Sequence, residues 1–246
     1  MLHLGTLIAV FLVYRKDIWK MILEGFGLIG DACCNVVIFF QNKAQKKNLA
    51  YRKVIKNAYR KFDLLVIVST IPTAVIGYVA RDLVEAASEI LLIPGICLIV
   101  TAILLFISDR VGDGRKTPKN VTYTNAFGIG ICQGIATLPG LSRSGTTITA
   151  CVLSGFDRNF AVKYSFIMSI PAILGAAVLE LKDIGKIAVT APEVGYYVVG
   201  TLLAAVVGYI CMKTLLVIVR KKKFTYFAIY CLLVGALSIV GYFVLL

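Results

Sequence analysis

The most constraining feature of the sequence is a series of long apolar runs separated by short, mostly basic segments. Four runs are clear helix candidates, at 64–80, 83–108, 160–181 and 194–219, and a fifth covers 224–246. A helix needs about 20 apolar residues to cross the hydrocarbon layer of a bilayer. Because backbone groups in lipid must be satisfied within the chain, runs of this length predict an all-α polytopic membrane helix bundle.

Composition supports a bilayer as the solvent. Hydrophobic residues make up 59% of the chain and charged residues only 16%, whereas a soluble domain carries about 25% charged residues. No polar stretch is long enough to separate two cores, so we expect one integral membrane domain over 1–246.

The net charge of +13 sits in short loops between the apolar runs. Lys and Arg in such loops mark the cytoplasmic side, and segment 42–61 is the strongest marker of this kind. We therefore expect the bilayer as a partner and no nucleic acid. The seven cysteines are scattered and His3 is the one histidine, so the sequence offers no metal-ligand set.

Three segments are less clear. Run 1–14 is too short for a span and predicts that the sequence lacks its beginning. Segment 21–41 lies between two basic clusters, so we expect it to lie along the interface or to dip in and return. Segment 122–156 starts and ends on the basic side and must form a hairpin, either of two full spans or of shorter re-entrant helices. The loop 182–193 is expected on the outer side.

A weak internal repeat relates two of the runs. Arg60-Lys61-Phe62 precedes Ile71-Pro72, and Arg158-Asn159-Phe160 precedes Ile170-Pro171 at a similar distance. Proline inside a span is tolerated where neighbours satisfy the freed carbonyl. The repeat suggests two related halves, as in many transport proteins.

Segment 122–156 contains a single charged residue, Arg143, among several hydroxyls. An arginine near the bilayer centre costs about 2.5–3.5 kcal/mol on insertion scales, so a function is expected for it. Pro139-Gly140 breaks the preceding helix, and a second helix can begin near Ser144. A helix N-terminus, a guanidinium and hydroxyls at one place favour a phosphate. The alternative is a turn whose arginine pairs with a carboxylate or with carbonyls elsewhere.

The candidate substrate-binding groups around Arg143 are neighbours in sequence. The catalytic candidates are Arg143, Ser142 and Ser144. The substrate-binding candidates are Pro139, Gly140, Gly145, Thr146, Thr147 and Gln133. For Gln133, packing between helices is an equal alternative.

The stretch 134–148 resembles a known signature. Residues 139–145 read PGLSRSG, similar to the PGxSRSG motif of the undecaprenyl-diphosphatase family, the bacitracin-resistance membrane phosphatases. Segments 4–10, 71–77 and 158–171 fit other parts of that family, so the resemblance covers nearly the whole chain.

The resemblance implies hydrolysis of undecaprenyl diphosphate to undecaprenyl phosphate and phosphate, which recycles the lipid carrier of bacterial cell-wall synthesis. It implies an inverted repeat of helices with two re-entrant hairpins, in the bacterial plasma (inner) membrane, with a site open to the outer face. Arg143 is implied to hold the diphosphate, with Ser142 and Ser144 beside it. The implied partner is a polyprenyl diphosphate lipid, and a homodimer is a candidate assembly.

The sequence departs from the family in one respect. The family's first motif, a Glu-x-x-x-Glu pair with a Ser-Ser-Thr-Gly-His run, has no counterpart here. A divalent metal, Mg²⁺ or Ca²⁺, is implied as a cofactor, with its ligands in that motif. Glu85 and Glu89 do not replace the pair, because no hydroxyl run accompanies them. Without a general base we expect weak or absent activity from the sequence as it stands.

Two other classes of function compete with the phosphatase. The repeat and the broken helices are typical of a lipid or solute transporter, but no second polar centre is visible in the first half. The other alternative is a protein that binds polyprenyl phosphates without hydrolysing them.

Overall fold

The structure is a computed structural model that describes residues 2–45, 48–184 and 191–245. Over these ranges the chain forms nine helices, and six of them are long and apolar enough to cross a membrane. In chain order they are α1 (Leu2–Gln45), α2 (Ala58–Val79), α3 (Arg81–Glu89), α4 (Leu92–Arg110), α5 (Tyr123–Ile135), α6 (Arg143–Leu153), α7 (Arg158–Ile184), α8 (Ala191–Arg220) and α9 (Thr225–Leu245). The predicted all-α polytopic bundle is confirmed. Of the predicted outer loop 182–193, residues 185–190 lie outside the described part of the chain.

The two shortest apolar helices form the predicted hairpin. Helices α5 and α6 have 13 and 11 residues, or about 20 and 17 Å at 1.5 Å per residue, which is less than the bilayer core of about 30 Å. The two ends of the hairpin are tied together, because Lys116 N–H donates to Gly155 O and Asp157 N–H to Lys116 O, each at 3.0 Å. The pair is therefore re-entrant, one of the two forms expected for 122–156.

Helix α1 is longer than the sequence suggested. It runs from Leu2 to Gln45, and its one non-helical residue is Tyr14, with φ −107° and ψ 19°. Tyr14 marks a kink between two helical parts, so the expected short run 1–14 forms the first part and segment 21–41 lies within the second. The expectation that 21–41 dips in and returns is wrong, because a continuous helix does not reverse its direction.

Acidic residues of α1 pair with basic residues near the starts of other helices. Asp17 accepts from Lys163 Nζ of α7 at 2.9 Å, and Glu24 and Asp31 accept from Arg60 of α2 at 2.8 and 2.6 Å. Past the kink, α1 therefore runs along the basic end of the bundle. This course agrees with the expectation of an interfacial segment.

The predicted single helix over 83–108 is wrong, because α3 and α4 are separate. The break falls at Ile90, whose backbone is extended with φ −105° and ψ 105°. Pro94 then lies in the first turn of α4, where a proline costs no helical hydrogen bond. The apolar run hid this break because Ile90 and Leu91 continue the hydrophobic pattern.

Small residues let three helix pairs approach closely. A Cβ added at Gly5 of α1 would lie 2.5 Å from Thr201 O of α8, and one at Gly95 of α4 would lie 3.1 Å from Gly235 O of α9. Gly130 of α5 is tighter still, since its Cβ would lie 2.1 Å from the carbonyl oxygen of Ser69 in α2. Such contacts are the usual basis of packing between membrane helices.

The internal repeat has a structural counterpart. Helices α2 and α7 each carry a buried arginine in their first turn and a proline inside, Pro72 and Pro171. Arg60 donates from Nη1 to Asp31 at 2.6 Å, and Arg158 donates from Nε to Asp113 at 2.8 Å. In both cases an arginine ties a helix start to a carboxylate from an earlier part of the chain.

Candidate anion-binding site

The tip of the hairpin places the start of α6 inside the helix bundle, where α6 packs on α4 and α7. Helix α5 ends at Ile135, and Ser142 caps α6 by accepting from the Gly145 N–H at 3.1 Å. The N–H groups of Arg143 and Ser144 lie in the first turn, where a helix provides no acceptor for them. This end of the helix therefore favours negative charge.

Helix α4 holds the turn before α6 in place. Gly140 has a φ of +86°, and a Cβ at this position would lie 2.4 Å from Pro94 O. Thr101 Oγ1 of α4 donates to Gly140 O at 3.3 Å and accepts from the Ser142 N–H at 3.0 Å. The turn thus requires glycine at 140, and a single hydroxyl fixes it on both sides.

A cavity of about 580 Å³ opens beside the start of α6. From α6 it is lined by Arg143, Ser144 and Thr147, and from α7 by Ser165 and Ser169. Most of the remaining wall is apolar and comes from α1, α7, α8 and α9. It includes Val10, Phe166, Ile173, Met212, Leu215, Ile218 and Phe227. The cavity therefore combines one cationic and hydroxylated end with a hydrophobic body.

The guanidinium of Arg143 is unpaired in the part of the chain that the structure describes, where it has no carboxylate within 4 Å and no hydrogen bond. The hydroxyls beside it are partly engaged, since Thr147 Oγ1 donates to Arg143 O at 2.9 Å and lies 2.5 Å from Ser165 Oγ. The alternative in which Arg143 pairs with a carboxylate or with carbonyls elsewhere finds no support among these contacts. An unpaired cation in an apolar cavity suits an anion brought by a ligand.

The structure places the other predicted site residues around this cavity rather than in it. Ser142 is used as the helix cap, and the Thr146 hydroxyl is buried without a partner. Gln133 is 1% exposed and donates from Nε2 to Met168 O at 3.4 Å, which matches packing between helices. The turn residues are Pro139, Gly140 and Gly145. Substrate contact by these six residues stays a prediction.

Sequence reasoning missed three hydroxyls that matter here. Ser165 and Ser169 are four residues apart in the run 160–181, so they share one helical face, and this spacing could have identified them. Thr101 gave no such signal, because it contacts residues 39 and 41 positions later in the chain.

A metal site does not emerge from the described residues. They contain no group of three or more His, Cys, Asp or Glu side chains that could hold a metal ion. The cavity lining they provide likewise has no carboxylate. The groups present therefore do not fit a divalent cation.

Comparison with known families agrees with the signature at the hairpin tip. The family model of bacitracin resistance protein BacA matches residues 1–237. The chain belongs to the BacA family. An undecaprenyl-diphosphatase of Alkaliphilus metalliredigens is 38% identical over 97% of this chain and 82% of its own length. Those of Desulforapulum autotrophicum and Methanosphaera stadtmanae are 39% and 36% identical, over 83% and 82% of their lengths.

Proposed function

We propose that this BacA-family chain hydrolyses undecaprenyl diphosphate to undecaprenyl phosphate and phosphate, recycling the lipid carrier of cell-wall synthesis and conferring bacitracin resistance. The observation that carries the proposal is the unpaired guanidinium of Arg143 at the polar end of an apolar cavity. A polyprenyl diphosphate matches this cavity, because it has a charged head for the polar end and a hydrocarbon tail for the apolar part. Three similar proteins are named undecaprenyl-diphosphatases.

The residues of the cavity bind and orient the diphosphate. Arg143 presents a planar fork of N–H donors that matches two phosphate oxygens, and the start of α6 adds its free N–H groups. Hydrolysis breaks the bond between the terminal phosphorus and the bridging oxygen, and the oxygen of water takes its place. The negative charge that builds up on the transferring phosphoryl group is stabilised by Arg143 and by the hydroxyls of Ser144 and Thr147.

A divalent cation, Mg²⁺ or Ca²⁺, is proposed as cofactor on the family resemblance alone, because the groups that line the cavity do not fit one. When bound to a diphosphate, such an ion neutralises charge on the phosphoryl oxygens. Its ligands would lie outside the residues that line the cavity, since these supply hydroxyls and a guanidinium but no carboxylate.

The test is phosphate release from undecaprenyl diphosphate by the purified protein in detergent. Arg143→Ala should lower the rate at least about 100-fold, the usual cost of losing one preorganised donor to the transition state. Arg143→Lys should recover little, because the planar fork is lost. Arg115→Ala, which removes an exposed and unpaired arginine, is the matched control and should keep the wild-type rate. Full activity in Arg143→Ala would remove the proposal.

A second candidate function is binding of polyprenyl phosphates without hydrolysis. It is favoured by the lack of a carboxylate that could act as a general base among the described lining residues. The same preparation separates the two functions. Saturable binding of undecaprenyl diphosphate that depends on Arg143, with no phosphate released, would select the second.

The chain is a multi-pass membrane protein, and we propose the bacterial plasma membrane with the basic end of the bundle facing the cytoplasm. In a variant lacking the native cysteines, Lys53→Cys should resist an impermeant thiol reagent in intact cells, whereas Arg81→Cys should react. Both side chains are exposed. Labelling of Lys53→Cys in intact cells would show that the basic end faces outwards and would contradict the proposed orientation. A homodimer and the lack of nucleic-acid binding stay predictions.

A further inference from the structure

A second groove lies between α1 and α8, and Ile210 is its one residue in common with the cavity at Arg143. Its volume is about 950 Å³. One end is apolar, formed by side chains such as Ile8, Leu12, Leu202 and Val206. The other end carries Arg15, Lys16 and Lys213, with Asp17 among them.

The charged end of the groove has a net positive charge. Asp17 is already committed, because Lys163 Nζ donates to it at 2.9 Å and the Tyr59 hydroxyl at 3.3 Å. The three cations of the groove have no carboxylate within 4 Å among the described residues. Lys213 Nζ instead lies 4.5 Å from the centre of the Tyr209 ring, which also lines the groove.

The apolar end of the groove is open to the bilayer. Leu12 is 52% exposed and Val206 is 59% exposed, and both belong to helices that can span a membrane. The cations lie at the same end of the bundle as segment 42–61, because Asp17 next to them pairs with Lys163 near the start of α7. This is the end that basic loops mark as cytoplasmic, and the leaflet on that side is rich in anionic lipids.

We propose that this groove binds one anionic phospholipid of the leaflet at the basic end. The phosphate lies among Arg15, Lys16 and Lys213, and the acyl chains follow the apolar surface past Leu12 and Val206. A free anion would leave that apolar surface uncovered, whereas a lipid covers both ends at once. The site is separate from the diphosphate site and does not depend on the proposed hydrolysis.

The fluorescence of Trp19 can report lipid binding at this groove. It is the one tryptophan of the sequence, is 63% exposed, and follows Arg15 by four residues on α1. The intact protein is reconstituted in phosphatidylcholine vesicles that contain equal mole fractions of 5-doxyl phosphatidylglycerol or 5-doxyl phosphatidylcholine. We expect the phosphatidylglycerol probe to quench Trp19 more strongly, corresponding to at least about a fivefold preference, the usual effect of one cation near an anionic surface.

The charge dependence is tested with two matched triple variants. Arg15→Gln/Lys16→Gln/Lys213→Gln should abolish the preference for the phosphatidylglycerol probe. Lys53→Gln/Lys221→Gln/Lys223→Gln removes three exposed and unpaired cations from the same end of the protein and should retain it. If the first triple does not fold, Lys213→Gln alone should lower the preference about fivefold.

Three outcomes would overturn the proposal. Equal quenching by the two probes in the wild type would show that no anionic lipid is selected. Equal loss in both triple variants would show attraction to general surface charge rather than to a groove. Displacement of the phosphatidylglycerol probe by millimolar inorganic phosphate would show a site for a free anion, since a lipid held by its chains resists such competition.

Discussion

The tip of the hairpin and the basic end of the bundle both contain arginines at the starts of helices, but the chain treats them differently. Arg60 and Arg158 have side chains only 8% and 6% exposed, and each is paired with a carboxylate and with backbone carbonyls. Arg143 has no such partner among the described residues. A buried cation that the protein itself pairs holds elements together, whereas one left unpaired is available to a ligand.

The largest effect should come from Arg143. Replacing it with Met should lower phosphate release at least about 100-fold while leaving the thermal unfolding midpoint unchanged or higher, because an unpaired cation is removed from an apolar cavity. The measurement pairs a phosphate assay with thermal unfolding in detergent. A large loss of stability in this variant would show that Arg143 holds the fold together, as Arg60 and Arg158 do, and would contradict its role in ligand binding.

The opposite result is expected for Arg60. Its side chain and that of Asp31 are each 8% exposed, so Arg60→Met leaves a buried carboxylate with Lys56 at 2.5 Å and Arg52 at 3.8 Å. Breaking such a pair from one side leaves the remaining charge without its main partner, so we expect a lower unfolding midpoint, and the loss is limited because Lys56 and Arg52 remain near Asp31. Denaturation in detergent measures the loss, and Arg81→Met, from an exposed pair, should cost little. An equal loss of stability in Arg60→Met and Arg81→Met would contradict the structural role assigned to Arg60.

A smaller effect is expected at the anchor of the hairpin tip. Thr101→Val keeps the size of the side chain but removes the hydroxyl that contacts Gly140 O and the Ser142 N–H. The two groups left without this partner should cost about 1–3 kcal/mol of unfolding free energy. Thr214→Val is the control, because that hydroxyl is exposed and bonds only its own helix at Ile210 O. Equal stability of the two variants would show that α4 does not hold the turn.

The sequence alone predicted the role of Arg143, but it did not predict the partners of the paired arginines. The basic segments on both sides of 122–156 predicted the hairpin, and the isolated charge of Arg143 with the break at Pro139-Gly140 predicted an anion site in it. These signals can be read from the sequence because they are local. The pairing of Arg60 with Asp31 spans 29 residues and depends on how α1 bends at Tyr14. The serines of α7 and the apolar wall of α8 reach the cavity only through tertiary packing, which periodicity does not fix.

The smallest effect that we predict is the contribution of Asp113, the partner of Arg158, to stability at acid pH. The guanidinium of Arg158 and then the ammonium of Lys222 hold the pKa of Asp113 below its usual value. A lowered carboxyl pKa contributes stability above the unfolded-state pKa of about 3.9, and this contribution is lost as the pH falls through the lower folded-state value.

Thermal midpoints of wild type and Asp113→Asn should therefore differ slightly at pH 7 and converge below about pH 4. Asp82→Asn, which removes an exposed and unpaired carboxylate, should leave the midpoint unchanged at both pH values. A difference for Asp113→Asn that grows on acidification would contradict the lowered pKa.

The order in which the cavity walls occur along the chain has a consequence for biogenesis. The hairpin packs on α2 and α4, which leave the ribosome before it, whereas the cavity is closed by α7, α8 and Phe227 of α9, which follow. The insertion machinery must therefore accept Arg143 into the membrane before most of its apolar surroundings exist. The helices that hold the hairpin tip are synthesised first, and the cavity at Arg143 is complete only after α9 has been inserted.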